Sequence, residues 1–284
     1  MLQENFIEKK ELKPAKIELH FFRHSIKGSD NVALPNDAAV TLSQEGRDLA
    51  VEKSFVDANL DQSVAFGSSR VRTQETAGFM LAGKEDDITG AESLDDLRAK
   101  IDKDAEVGSK IGIDKRLDFT DSDDTPGGKA LNEAYARGEY VKHMVETSDT
   151  LSKETGDSSG ANYSYKASQI ARIVDKYVHV LPRWQELVND PAKNYSESLE
   201  RYLSTHLGMS EAFLAKVVEV TEGAEMRDAF VAMIGNKGFD YLEGFEVDIE
   251  KKNGIETITV KYKTDKGEMT KELSSEQLNA IIQS

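Results

Sequence analysis

The chain contains no cysteine, which excludes disulfide staples, thiolate metal sites, iron–sulfur ligation and cysteine nucleophiles. It has one tryptophan and five prolines, and no window approaches the ~18 consecutive apolar residues of a spanning helix. Positive charge is also scarce: 36 Lys and Arg face 52 Asp and Glu, a net charge of −16. Such a surplus repels phosphate backbones and anionic lipid, and no basic run offsets it, so neither nucleic acid nor a membrane surface is expected as a partner. Met1 to Lys16 are mostly polar and lack an apolar signal core. A soluble cytoplasmic protein is the expectation, with no indication of its oligomeric state.

What is present suffices for a large core: 38% of the 284 residues are hydrophobic. Ile17, Leu19 and Phe21 alternate and predict a strand that ends at Arg23-His24. A turn-rich loop follows, and Ser43 is a candidate cap for a helix reaching towards Leu60. Val64 to Phe66 predicts a second strand, broken by Gly67-Ser68-Ser69, and then a helix over about Val71 to Ala82 with Gly83 as its stop. Residues 84 to 124 carry 14 acidic and 7 basic side chains, which predicts a solvated excursion at the rim of the fold. Asp121 to Asp124 lacks the Gly and Glu spacing of a calcium loop.

Further on, Ile170, Ile173, Val174, Tyr177, Leu181, Trp184 and Val188 recur at helical spacing from about Ser168, with Pro182 expected to kink or divide the helix. Arg201 to Thr205 predicts a strand ending at His206, and Ser210 is a candidate cap for the next helix. Phe245, Val247 and Ile249 alternate, Asn253-Gly254 is a type I′ turn signal, and Ile258, Val260 and Tyr262 alternate on the return, which predicts a β-hairpin. A final helix is expected near Ser274 or Ser275. Alternating strands and helices predict an α/β three-layer sandwich around a mostly parallel central sheet. The expected organisation is a polar N-terminal tail over 1–15 and one domain over 16–284, with an acidic, helical lid insertion at about 84–165 and the C-terminal hairpin at one edge.

Three predicted strands each end beside a cationic or titratable group: Arg23-His24, Arg72 and His206. Ligands of open α/β sheets bind outside the carboxyl ends of the strands, so these groups can converge. Two guanidiniums and two imidazoles in one cleft suit a phosphate dianion, since each guanidinium fork matches two phosphate oxygens. The other histidines read differently: His20 lies inside a strand and His143 and His179 on helices, where structural or surface roles are expected.

These residues carry a resemblance to the histidine phosphatase superfamily, the phosphoglycerate-mutase-like fold. Phe21-Phe22-Arg23-His24-Ser25 stands in place of the family's Arg-His-Gly motif, and Leu42-Ser43-Gln44-Glu45-Gly46 matches Leu-Thr-x-x-Gly. Arg72-Thr73-Gln74-Glu75-Thr76-Ala77 matches Arg-Ala-x-x-Thr-Ala, and Ser204-Thr205-His206-Leu207-Gly208 stands in place of Ser-His-Gly-Gly. The four occur in family order across roughly residues 16 to 262.

The resemblance implies a phosphomonoesterase acting on a phosphorylated small molecule or phosphoprotein, without metal or cofactor. His24 would attack phosphorus, with Arg23, Arg72 and His206 holding the phosphoryl oxygens. Ser25, Lys27 and Leu207 are the adjoining candidates for substrate contact. The proton donor is less well marked. One branch of the family has Asp directly after the second His, where this chain has Leu207. The other has Arg-Leu-x-Glu, where this chain reads Arg116-Leu117-Asp118-Phe119. Asp118 is taken as the acid, with Asp121 and Glu133 as rivals. Because the expected Glu and two motif glycines are replaced, a catalytically silent phosphate- or phosphopeptide-binding module is the competing expectation. A mutase is disfavoured, because the loop after His24 lacks the mutases' Trp-Asn element.

Overall fold

The computed structural model describes residues 12–28, 36–55, 58, 60, 62–83, 88, 90–104, 109–252 and 255–284. The Asn253-Gly254 turn and most of the N-terminal tail therefore lie outside the described residues.

β1 (Lys16–Arg23) forms where alternation was read: Ile17, Leu19 and Phe21 are buried on one face and Phe22 on the other. It lies inside a seven-stranded sheet of order β3-β2-β4-β1-β5-β6-β7. β2 (Val64–Gly67), β3 (Ile111–Ile113) and β4 (Ser198–Thr205) run parallel to β1. β5 (Gly244–Lys252), β6 (Ile255–Thr264) and β7 (Gly267–Leu273) form an antiparallel meander on its other side. The sheet is thus half parallel and half antiparallel, which corrects the mostly parallel expectation. The predicted hairpin gains a third strand in which only Met269 and Leu273 are buried, too sparse an alternation to read in advance.

Helices cover both faces. α1 (Gln44–Lys53), α2 (Val71–Ala82) and α3 (Leu94–Ile101) build one core with Phe22, Ala65, Ile111 and Tyr202 of the sheet. α4 (Pro126–Ala136), α5 (Tyr140–Thr155), α6 (Tyr163–Val188), α7 (Met209–Glu222), α8 (Ala224–Ile234) and α9 (Ser275–Gln283) build the other. Each fully buried Leu, Ile or Phe contributes about 1.5–3 kcal/mol of transfer free energy. Towards β7 the meander keeps one face wet, with Glu246 and Lys261 about half exposed, as antiparallel sheets allow.

Local signals explain most element ends. Ser43 caps α1 by accepting the Gly46 amide, Ser274 caps α9 in a capping box, and Gly83 follows α2. Three readings are corrected. α6 starts at Tyr163, capped by Asn162, and runs unbroken through Pro182; its apolar stripe is buried on both sides of the proline, so packing outweighs one lost backbone bond. α7 begins after Gly208, and Ser210 lies inside it as a buried side chain without a cap bond. Finally, the acidic segment is not solvated throughout: Leu94, Leu97 and Ile111 are buried, and β3 pairs with β2. Their short apolar spacing was masked by the surrounding carboxylates.

Candidate active site

The order β2-β4-β1 sets three strand ends side by side. Arg23 pairs in register with Thr205, and the His24 amide donates to the Thr205 carbonyl at 2.9 Å, so β1 delivers Arg23-His24 directly beside the His206 that follows β4. β2 lies on the far side of β4 and leads through Ser68 to Arg70, from which α2 starts and carries Arg72. The start of β5 pairs with the end of β1 through Phe22 and Gly244, which brings the loop bearing Tyr241 to the same edge. Arg23, His24, Arg72 and His206 all line one cleft of about 520 Å³.

His24 is buried, and its Nδ1 lies 2.7 Å from the Ser25 carbonyl. A carbonyl only accepts, so Nδ1 carries the proton and the Nε2 lone pair is left for the cleft. The ring centroids of His24 and His206 are 5.2 Å apart in a T-shaped arrangement. His206 Nε2 lies 2.9 Å from Ser68 Oγ, which in turn meets Thr73 Oγ1 at 3.0 Å. Burial, with the charges of Arg72 and Arg23, pushes the His24 pKa down to about 3. Burial, then His24 and Arg72, holds His206 well below the ordinary histidine range. The cations suited to an oxyanion thus also keep the imidazole unprotonated.

The loop that follows His24 is held tightly. A Cβ on Gly46 would lie 2.1 Å from the Ile26 carbonyl oxygen, so only glycine lets α1 approach this close. Ser25 uses that proximity: its hydroxyl donates to the Gly46 carbonyl at 2.7 Å and its amide to Thr76 Oγ1 at 3.1 Å. Ser25 is fully buried there and does not line the cleft, which corrects its reading as a substrate contact; its hydroxyl found a nearer acceptor in α1. Lys27 and Leu207 do line the cleft.

Arg72 is oriented by Asp37, whose backbone and side-chain oxygens each accept one guanidinium nitrogen at 2.9 Å, while Asp37 Oδ2 also accepts Arg70 Nε at 3.0 Å. The Nε atoms of Arg72 and Arg23 are buried without a partner. Arg23 stacks on Tyr241, its guanidinium carbon 4.5 Å from the ring centroid. Tyr241 precedes Leu242, whose φ of 63° is left-handed and strained for a non-glycine residue. The loop is pinned by the Glu211 carboxylate, which accepts the Phe239 and Gly208 amides at 2.8 Å each.

No carboxylate lines the cleft among the described residues. Asp118 accepts from the Ser69 amide at 2.9 Å and the Ser69 hydroxyl at 2.6 Å, and lies 3.7 Å from Arg70; it serves the start of α2 rather than the cleft. Asp121 is fully buried between Lys166, at 2.5 Å, and the Tyr140 hydroxyl. Glu133 lies on the exposed side of α4. The side chain that does face the cleft at this point is Phe119, whose ring lies 5.8 Å from that of His206.

Sequence reasoning missed Tyr135 and Tyr140, which α4 and α5 bring to the cleft, and Tyr241. It also missed Asp37 and Arg70, although Arg70-Val71-Arg72 at a strand-to-helix junction was a usable signal. A neighbouring cavity of about 500 Å³ shares Arg23, Tyr135, Tyr140 and Leu207 with the cleft and is also lined by Arg137, Lys237 and Asp240.

Two expectations arise from this geometry. Gly208 has φ 91°, and a Cβ there would lie 2.5 Å from the Tyr140 hydroxyl. Gly208→Ala should therefore cost about 2 kcal/mol in urea unfolding from strain and overpacking together; an unchanged midpoint would mean that the Tyr140 ring yields freely. The second concerns pH. Unfolded, each histidine takes up a proton below about pH 6.5, whereas folded His24 stays neutral down to about 3 and His206 is held lower than normal too. The unfolded state then binds more protons, so this stability is complete above pH 6.5 and lost on acidification at about 1.4 kcal/mol per pH unit per histidine. Urea unfolding between pH 6 and 5 should show this slope, and His206→Asn should make it shallower by about one histidine's share.

No family model matches the chain, and no curated protein matches it. Among solved structures it is similar to phosphoglycerate mutase from Bacillus anthracis, at 13% identity over 86% of this chain and 92% of that one, with a TM-score of 0.42. It is likewise similar to a mycobacterial glucosyl-3-phosphoglycerate phosphatase, at 14% identity over 83% and 92% of the two chains, TM-score 0.44. A phosphoserine phosphatase from Entamoeba histolytica is similar at 13% identity over 88% and 98%, TM-score 0.42.

Proposed function

We propose that the protein is a phosphomonoesterase that works through a phosphohistidine at His24. The observation that carries this reading is the Nδ1–H bond from His24 to the Ser25 carbonyl, which leaves the lone pair of Nε2 for the cleft that Arg23 and Arg72 also line. In the first step the Nε2 lone pair attacks phosphorus, the N–P bond forms, and the P–O bond breaks with its electron pair leaving on the ester oxygen. In the second, water attacks phosphorus, the N–P bond breaks, and phosphate departs as His24 returns to the neutral imidazole. Arg23 and Arg72 offset charge on the phosphoryl oxygens, a positioning and electrostatic role. The substrate is a phosphorylated small molecule or phosphoprotein. The four motifs that resemble the histidine phosphatase superfamily support the same reading.

A second reading, a phosphate-binding module without turnover, is favoured by one observation: Phe119, not a carboxylate, faces the cleft. Incubation with phenyl phosphate separates the two. An enzyme releases phosphate and yields, on rapid quenching, an acid-labile phosphoryl group on His24; a binding module releases no phosphate and carries no phosphoryl group.

A further inference from the structure

Six large apolar or aromatic side chains are exposed among the described residues, and two of them, Tyr135 at 58% and Tyr241 at 37%, belong to the same cleft. Phe119 and Tyr140 complete an aromatic rim around the imidazoles. Tyr241 is held in place rather than collapsed, stacked under Arg23 and with its ring 6.0 Å from that of His24. Such a rim presents flat faces to a flat group carried on the phosphate.

The second observation is chemical. Among the described residues, the buried and half-buried carboxylates near the cleft are engaged elsewhere, Asp37 by Arg72 and Arg70, Asp118 by Ser69, and Asp121 by Lys166 and Tyr140, while Glu133 is exposed to solvent. Glu211 accepts two backbone amides, and Asp240, in the neighbouring cavity, pairs with Lys266 at 3.0 Å. Besides the two imidazoles, which are held neutral, and the Asn132 amide, the groups that line the cleft and carry protons are guanidiniums, phenols and the Lys27 ammonium, types whose ordinary pKa is about 10 or above. An alkoxide is about as basic as hydroxide, whose conjugate acid has a pKa of about 15.7, and it leaves poorly without a carboxylic acid to protonate it. A phenoxide, with a conjugate acid near 10, leaves unaided far more readily.

Building on the phosphatase reading, we infer that the cleft is built for aryl phosphate monoesters, such as a phosphorylated tyrosine, whose ring stacks in the Tyr135–Tyr241 rim and departs as a phenoxide. In that step the P–O bond breaks as the His24 N–P bond forms, and the phenoxide takes its proton from water after release. The two sources of this chemistry, a free aryl phosphate and a tyrosyl-phosphorylated chain, share the same reacting group.

The test uses the full chain and compares substituted phenyl phosphates, O-phosphotyrosine free and within a peptide, and glycerol phosphate. Aryl esters should turn over with rates that fall steeply as the phenol becomes more basic, and glycerol phosphate should be slower by about a thousandfold, the size of a missing general acid. Tyr135→Ala should raise KM for phenyl phosphate about fivefold while leaving inhibition by inorganic phosphate unchanged. Turnover of the free amino acid or of the peptide both support the assignment and name the source. Equal turnover of glycerol and phenyl phosphates, with a flat dependence on the phenol, overturns the assignment and leaves the phosphatase reading intact. Failure to turn over any ester overturns both.

Discussion

His24→Ala protein is expected to lose at least about a thousandfold in phosphate release from phenyl phosphate, and to form no acid-labile phosphoprotein, because the nucleophile itself is gone. The loss should not come from unfolding: among the described residues the His24 ring gives up one hydrogen bond, to the Ser25 carbonyl, and the β1–β4 pairing runs through backbone atoms that remain. Circular dichroism and the urea midpoint should therefore stay near wild type. Added imidazole, filling the vacated space, should restore part of the turnover. The wild-type rate supplies a second check. With the His24 pKa pushed down to about 3, its imidazole is neutral from about pH 4 upward, so protonation of the nucleophile sets no acid limb between pH 5 and 7. Retained turnover in the alanine protein would sink the mechanism.

Lys166→Met should carry the largest stability cost. The Lys166 ammonium and the Asp121 carboxylate are both fully buried, 2.5 Å apart, beneath the cleft. Removing the cation strands a desolvated anion, a loss of about 3–5 kcal/mol. At roughly 2–4 °C per kcal/mol for a chain of this size, thermal unfolding should move down by about ten degrees. The cost is that of breaking the pair, so Lys166→Met with Asp121→Asn should recover more than half of it, since the amide oxygen still accepts the Tyr140 hydroxyl. If the single and double variants unfold alike in urea, the ion pair is not the origin of the cost. The same pair bears on the site: Asp121 anchors Tyr140, and the Lys166 charge is among the causes that hold His206 neutral.

Much of the layout was readable because its signals are local. β1, β2, α2 and α9 follow from alternation, helical spacing, a serine cap and terminal glycines, all of which act within a few residues. Arg23, His24, Arg72 and His206 stood out because each ends a strand or opens a helix. The choice among proton donors was not readable, for the opposite reason. Asp118, Asp121 and Glu133 are equally acidic on paper, and only their partners distinguish them: a serine amide, a buried lysine and solvent. Tyr135, Tyr140 and Tyr241 carried no motif at all, and aromatic residues at helical spacing read as core.

By itself the sequence determined the α/β class, most of the strands and helices of the described residues, and the four side chains that share one cleft. The tertiary structure decided that the sheet is half antiparallel, that Ser25 turns away into α1, that Asp37 grips Arg72, and that phenols rather than carboxylates ring the cleft. The division has a physical cause. Backbone propensity and hydrophobic periodicity act over neighbouring residues, whereas the ionic partner of a carboxylate and the direction of a side chain depend on which distant segment packs beside it.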